Sequence, residues 1–331
     1  MSKFKVVVTD YEYDSFVPEE EVLNKLGIEL TLEQCKTEED VIAACKDADA
    51  LINQYAPISR NVIEKLENCK VISRYGVGFN TIDIDAATEK GIVVGNVTDY
   101  CLDEVSDHAM ALLLSSVRKV TLLNNTVKGG DWDFKVAVPI NRLRGRTLGL
   151  LGFGNIPKTL ARKAQAFGVN VIAYDPFVPE SVAKEFSTEL VSLDELCERS
   201  DYISVHLPLN EHTEKIISHE QFDTMKKEAF IINTARGPVI DEEAMIKALQ
   251  EGKIAGAGLD VLEVEPIDPN NPLLKMDNVI INPHAAFYSV EAQDELKRKT
   301  AENVADVLSG YFPTYLVNKD VKEKLNLKDK Q

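Results

Sequence analysis

Tryptophan occurs once in the 331 residues, at Trp132, and histidine only five times. Cysteine is also sparse: Cys35, Cys45, Cys69, Cys101 and Cys197 are scattered, odd in number, and form no C-x-x-C pair. That pattern excludes a disulfide-stapled scaffold, and no metal is expected. Reduced thiols in a cytosol are the simplest reading, so the protein is expected in the cytoplasm. No apolar run reaches the ~18 residues that a membrane-spanning helix needs. The short run Val6-Val7-Val8 ends in Thr9-Asp10 and reads as a first strand, not a signal peptide. Positive charge is in deficit, with 37 Lys and Arg against 54 Asp and Glu, a net charge of −17. Such a chain repels nucleic acid and anionic membrane, so neither is expected as a partner. An anionic small molecule would need a local positive group. What remains is an ordinary globular composition, 44% hydrophobic and 27% charged, long enough for about two domains.

The most informative stretch is Arg146-Thr147-Leu148-Gly149-Leu150-Leu151-Gly152-Phe153-Gly154-Asn155-Ile156-Pro157. The apolar run 147–151 reads as a buried parallel strand. Gly152 permits a sharp exit from it, and Gly154, with no Cβ, lets a ligand approach the backbone. Pro157 suits the first turn of a helix expected over 157–167, with a stop at Gly168. Free N–H groups and the positive dipole end of that helix would face a pyrophosphate. The next strand, 169–174, ends in Asp175, at the spacing of about 20 residues expected of an acid that binds a ribose 2′-OH. Pro176 and Phe177 follow it, not the Arg or Lys that a 2′-phosphate would need, so NAD is expected rather than NADP. Pro157 stands where the G-x-G-x-x-G pattern has its third glycine. A lone Gly-x-Gly is also compatible with a plain strand–helix turn. Strand, turn, helix, strand and acid in register favour the dinucleotide site.

Upstream, short apolar strands at 5–9, 28–32, 50–53, 71–73 and 92–94 alternate with acid-rich helices such as 38–45 and 61–67. Downstream, strands are expected at 202–205, 230–233, 257–260 and 279–281, and helices at 193–199, 242–250 and 291–309. This alternation predicts α/β architecture, with parallel sheets covered by helices on both faces. Arg74-Tyr75-Gly76-Val77-Gly78 follows a strand and so lies at a carboxyl end, where ligands of open α/β sheets bind. The amphipathic segment 102–128 is too long for an ordinary crossover and could bridge domains or build an interface. The tail 320–331, rich in Lys and Asp, is expected to fray.

Three residues beyond expected strands could do chemistry. Arg236, in Asn233-Thr234-Ala235-Arg236-Gly237, can hold a carboxylate with a planar, permanently charged fork. Glu265, in Glu263-Val264-Glu265-Pro266, reads on spacing alone as a solvated acid in an acid-rich loop. His284, in Asn282-Pro283-His284-Ala285-Ala286, carries the side chain that ordinarily titrates nearest neutrality. His206, in Val205-His206-Leu207-Pro208, also follows a strand and is its rival.

In combination these motifs resemble the D-isomer-specific 2-hydroxyacid dehydrogenases. The resemblance runs from about Lys5 to Tyr311, through Gly-x-Gly-Asn-Ile with Asp175, Asn233-Thr234-Ala235-Arg236-Gly237, Gly258-Leu259-Asp260-Val261 with Glu265-Pro266, and Pro283-His284. The branch is similar to phosphoglycerate dehydrogenases and C-terminal-binding proteins. His284-Ala285-Ala286-Phe287-Tyr288-Ser289 is similar to the latter, which carry tryptophan in place of Phe287. The resemblance implies two doubly wound parallel-sheet domains. A Rossmann cofactor domain, residues 103–287, would be inserted in a flavodoxin-like catalytic domain, residues 1–102 and 288–331. It further implies that Arg236 holds the substrate, that His284 exchanges the proton on the C2 oxygen, and that Glu265 hydrogen-bonds the histidine. Tyr75, Phe287 and the main-chain N–H groups around Gly76 and Val77 would contact the substrate. Gly152, Gly154, Asn155, Ile156, Asp175, Thr234, Ala235 and Asp260 would contact the cofactor.

The expected activity is therefore NAD-dependent interconversion of a small D-2-hydroxy acid and its 2-oxo acid, in a homodimer formed through residues 103–130. The alternative is an NAD-sensing co-regulator similar to C-terminal-binding proteins, which keep the same Arg, Glu and His. No charged recruiting tail and no further regulatory domain are expected, which favours the enzyme without serine-type feedback. Tyr75, Phe287 and Tyr288 suggest an aromatic-lined pocket suited to a branched or aromatic side chain rather than phosphate, unless they only pack between domains.

Overall fold

The structure, a computed structural model, describes residues 4–330. These residues form two compact units: one joins the segment up to Tyr100 to the segment from Ser289, and the other is Cys101–Tyr288.

The first unit is built on five short strands, β1 (Val6–Val8), β2 (Leu30–Leu32), β3 (Ala50–Asn53), β4 (Val71–Arg74) and β5 (Val93–Gly95). All are parallel, in the order β2-β1-β3-β4-β5, the flavodoxin-like arrangement. Val7, Leu51, Ile72 and Val94 point to one face and join a buried cluster with Val41, Val62 and Ala87 from three helices. The helix Val290–Leu308 packs on β3 and β4 and on the helix Val17–Leu23. Apolar side chains are therefore needed on both faces, which is why these strands read as continuous apolar runs.

The second unit has seven parallel strands: β6 (Thr147–Leu151), β7 (Asn170–Tyr174), β8 (Glu189–Leu190), β9 (Tyr202–Val205), β10 (Phe230–Asn233), β11 (Gly256–Leu259) and β12 (Val279–Ile281). Their order, β12-β11-β10-β9-β6-β7-β8, places the reversal of winding between β6 and β9. That switch point is where open α/β sheets bind dinucleotides. Leu148, Leu150 and Ile232 face the helices Leu102–Arg118 and Asn155–Ala166, while Leu151, Ile203, Val205 and Ile231 face the opposite cluster. Local chemistry sets the helix starts. Thr37 and Asp40, and Ser192 and Glu195, form reciprocal capping boxes at the helices beginning at Glu38 and Leu193.

Three expectations are corrected. The segment 102–128 is two helices, Leu102–Arg118 and Val120–Lys128, because Lys119 adopts a left-handed conformation at φ 53° and turns the chain. The tail does not fray within the described residues. Val321 is buried, the N–H of Phe312 donates to the carbonyl of Lys328 at 2.8 Å, and the N–H of Lys328 donates to that of Gly310 at 3.0 Å. Gln331 lies outside the described residues. Finally, the dinucleotide helix starts at Asn155, so Pro157 is its third residue rather than its first.

Candidate active site

The carboxyl end of β6 makes the first half of the site. Gly152 leaves the strand at φ 96°, and a Cβ there would meet the carbonyl oxygen of His206 at 2.9 Å. Its N–H donates to Tyr174 at 2.9 Å, so the turn is tied to β7. Gly154 is the N-cap of the helix Asn155–Ala166 and offers no side-chain cap. A Cβ on Gly154 would have nothing within 4 Å. The first-turn N–H groups of such a helix lack partners inside the helix and suit an anion. Pro157 lacks one of these donors, is buried, and is tolerated because the first turn needs no internal bond there. Asp175 accepts the N–H of Phe153 at 2.9 Å through Oδ2 and that of Phe177 at 2.9 Å through Oδ1. It both steadies the glycine turn and closes its own, and each carboxylate oxygen has lone-pair capacity left for a ribose hydroxyl.

The turn after β10 adds a further observation. The buried Asn233 carboxamide accepts the N–H of Ala235 at 2.9 Å and donates to the carbonyl of Arg236 at 3.0 Å. The hydroxyl oxygen of Thr234 is buried with no hydrogen-bond partner among the described residues. Buried polar atoms are rarely left so, and a bound ligand would satisfy this one. The uncapped helix, the unobstructed Gly154 and the unsatisfied Thr234 together fit a dinucleotide.

The second half of the site lies beyond β10, β11 and β12. Nδ1 of His284 is 2.8 Å from Oε2 of Glu265, whose other oxygen accepts the N–H of Leu262 at 3.0 Å. Burial works to raise the Glu265 carboxyl. The hydrogen bonds from His284 and Leu262, with the charges of His284 and Arg236, outweigh it and hold the carboxyl below its ordinary range. Arg236 is half-buried, and its guanidinium donates to the carbonyl of Ala235 at 2.7 Å. The Arg236 loop lies against the Glu265 loop: a Cβ on Gly237 would come within 1.9 Å of the Leu262 carbonyl oxygen. The ring of Phe287 stands edge-on to that of His284, with centroids 6.5 Å apart.

His284 itself has φ 52°, a left-handed conformation uncommon outside glycine. Asp260, directly after β11, holds it there. The Asp260 carbonyl accepts the N–H of His284 at 2.8 Å. Its two carboxylate oxygens accept those of Ala285 at 2.9 Å and Ala286 at 2.8 Å. The side chain is 1% exposed. The Asp260 carboxylate thus supports the His284 turn from inside the protein.

One expected position changes. Tyr75 is buried in the first unit, where its hydroxyl donates to Glu19 at 2.6 Å and its ring packs edge-on to Tyr13, so it does not line an aromatic pocket as expected. Gly76 and Val77 form the turn after β4, their carbonyls accepting from the N–H of Val97 and the side chain of Asn96. His206, the rival histidine, lies against Ser204 at 2.8 Å, and burial pushes its imidazole down to about 3. It stays neutral at physiological pH.

Sequence reasoning missed His108, on the helix Leu102–Arg118. Its Nε2 lies 3.4 Å from Oδ1 of Asp260 and 3.2 Å from the side-chain oxygen of Asn282. The Asp260 hydrogen bond raises the imidazole above its ordinary value against the opposing effect of burial. One signal was available: His108 shares a helical face with the buried Val105 and Leu112, so it points at the sheet. Among the described residues no cluster of His, Cys, Asp and Glu could hold a metal ion, and no helix is long and apolar enough to cross a membrane.

Residues 110–286 match the family model of the D-isomer specific 2-hydroxyacid dehydrogenase NAD binding domain. The chain belongs to this family. It is 42% identical over 287 residues to a glyoxylate reductase of Korarchaeum cryptofilum, covering 85% of this chain and 86% of that one. It is also 42% identical over 316 residues to a D-3-phosphoglycerate dehydrogenase of Methanocaldococcus jannaschii, covering 95% of this chain but only 59% of that one, so it spans about three-fifths of that relative's length. Its fold is similar to that of the D-lactate dehydrogenase of Aquifex aeolicus complexed with NAD and lactic acid. That match has a TM-score of 0.84 and 29% identity over 97% of this chain and 98% of that one. A glyoxylate reductase from Paecilomyes thermophila is similar with a TM-score of 0.88 and 30% identity, over 96% of this chain and 99% of that one. The second unit is thus an NAD-binding domain of this dehydrogenase family.

The two glycines of the turn should separate in their effects. Gly154→Ala, with open space at its Cβ, should leave the melting temperature nearly unchanged and weaken NADH binding by about tenfold or more, read by fluorescence titration. Gly152→Ala should lower the melting temperature, because its φ of 96° and the His206 carbonyl both oppose a side chain. Unchanged NADH affinity in Gly154→Ala would place the pyrophosphate elsewhere.

Proposed function

We propose that the protein is an NAD-dependent dehydrogenase that interconverts a small D-2-hydroxy acid and its 2-oxo acid. The observation that carries this reading is the 2.8 Å contact between His284 Nδ1 and Glu265 Oε2. With Nδ1 so engaged, Nε2 is the nitrogen left to exchange a proton with a substrate oxygen. Bound NAD(H) supplies the hydride acceptor or donor. Arg236 holds the substrate carboxylate through its two-pronged guanidinium, which orients C2. His284 gives a proton to the C2 oxygen during reduction and takes it back during oxidation. Glu265, kept ionised by its hydrogen bonds, fixes the imidazole's orientation. Gly152, Gly154, Asn155, Ile156, Asp175, Thr234, Ala235 and Asp260 are the proposed cofactor contacts. Gly76, Val77 and Phe287 are the proposed substrate contacts. Asp175 favours NAD over NADP, because a 2′-phosphate would meet its negative charge.

The relatives' names include glyoxylate reductase, hydroxypyruvate reductase and D-3-phosphoglycerate dehydrogenase. They support the enzyme over an NAD-sensing binding protein and put small polar 2-oxo acids at the head of the substrate list. Withdrawal of Tyr75 from the pocket weakens the case for a branched or aromatic substrate. The free cysteines, four of five buried, support a cytoplasmic protein.

The test is NADH oxidation with glyoxylate, hydroxypyruvate, pyruvate, phenylpyruvate and 2-oxoisocaproate. With the best substrate, His284→Ala should lose about 10²–10⁴-fold in kcat while His206→Ala stays within about tenfold. Arg236→Lys should lose most of kcat/KM with NADH binding unchanged. No turnover of any acid, or the larger loss at His206, would overturn the reading.

We further propose a homodimer through the region 103–130 and the segment after it. The helix Val120–Lys128 buries none of its residues, Val120, Val127 and Phe134 are exposed, and Trp132 is 90% exposed. Exposed large apolar side chains concentrated in one segment support an interface there. Sedimentation at micromolar concentration should give a dimer, and Trp132→Glu should weaken it; a monomeric unmodified protein would refute this part.

A further inference from the structure

We infer that His108 is a positioning residue of the reaction, whose Nε2 holds the two groups that carry the His284 turn. The inference rests on the reading of His284 as the acid/base.

The turn has two footings. One is Asn282, whose N–H donates to the Leu259 carbonyl at 2.8 Å and ties the chain to β11 as it leaves β12. The other is Asp260, which accepts from His284, Ala285 and Ala286. His108 is the side chain that touches both, at 3.2 Å from the Asn282 oxygen and 3.4 Å from the Asp260 carboxylate. An ionised carboxylate offers only acceptors, so the contact requires the proton on Nε2. Among the described residues, His108 is the one basic side chain within 4.0 Å of Asp260. A carboxylate 1% exposed gains most from a partner that brings a proton and a charge.

What His108 supports is a turn under strain. His284 sits at φ 52°, and it keeps that conformation only while the surrounding bonds over-determine it. Without His108, the Asp260 carboxylate keeps its two main-chain donors but loses the side-chain donor that fixes its rotation. The sheet, held by its own ladder and its apolar faces, does not depend on this contact. The consequence falls on the position of His284, and displacement of a reacting group by about 1 Å can cost ~10²-fold in rate.

The test compares His108→Leu, His108→Gln and Asn282→Ala with unmodified protein and His284→Ala. His108→Leu should lower kcat by about ten- to a hundredfold while KM for NADH changes less than about twofold. His108→Gln, which keeps an N–H donor at a similar reach, should recover most of kcat. Asn282→Ala, which keeps the main-chain bond to Leu259 but removes the side-chain oxygen that His108 Nε2 contacts, should lower kcat in the same direction as His108→Leu. In the protein without cofactor, hydrogen exchange at the Ala285 and Ala286 amides should be faster in His108→Leu and near normal in His108→Gln. If His108→Leu does not fold, Asn282→Ala and His108→Gln still decide. Unchanged kcat and amide exchange in His108→Leu or Asn282→Ala, or a Gln variant as slow as the Leu variant, would overturn the inference. If His284→Ala kept full activity, the reading of the acid/base would fall instead.

Discussion

The bonds made by Asp260 are the constraint on which the site depends. Its N–H donates to the carbonyl of Asn233 at the end of β10, and its carbonyl and both carboxylate oxygens receive three successive N–H groups of the His284 turn. One residue therefore fixes the spacing between the loop that presents Arg236 and the loop that presents His284. A buried carboxylate is costly unless every oxygen is satisfied. Here burial alone would raise the carboxyl, and hydrogen bonds from His108, Ala285 and Ala286 more than reverse that, keeping it ionised. The ionised form is the one that can accept all of these donors, so the charge and the geometry support each other.

The same logic of donors without partners governs the cofactor side. The chain carries a net charge of −17, and what this unit offers an anionic pyrophosphate is main-chain dipoles at a helix start. The uncapped helix beginning at Asn155, at the β6/β9 switch point, and the unsatisfied Thr234 hydroxyl after β10 present groups that folding leaves unpaired. The Asp175 carboxylate braces the turn through Phe153 and keeps acceptor capacity beside it. Fixed dipoles need no reorganisation when the ligand binds, which suits a cofactor that must be exchanged at every turnover.

Strand positions were legible in the sequence. Strands 50–53, 202–205, 230–233 and 279–281 have the expected bounds, because strands covered on both faces are continuous apolar runs. The pairing of Glu265 with His284 was carried by the family resemblance and not by spacing, since 19 residues of loop and strand separate them. The break at Lys119 carried no glycine or proline to announce it. The support that Asp260 gives the His284 turn was not legible, because a carboxylate's partners depend on burial, and a polar residue after a strand looks the same whether it faces a ligand or a turn. The interaction of His108 with Asp260 spans more than a hundred residues of chain, beyond any local pattern.

If Arg236 fixes the carboxylate and His284 fixes the C2 oxygen, the hydride can reach C2 from one face only. The configuration of the product is therefore the most direct measurement of the account. Reduction of hydroxypyruvate or pyruvate with NADH, followed by chiral chromatography, should give the D-hydroxy acid alone. The L-isomer, or a mixture of the two, would contradict it.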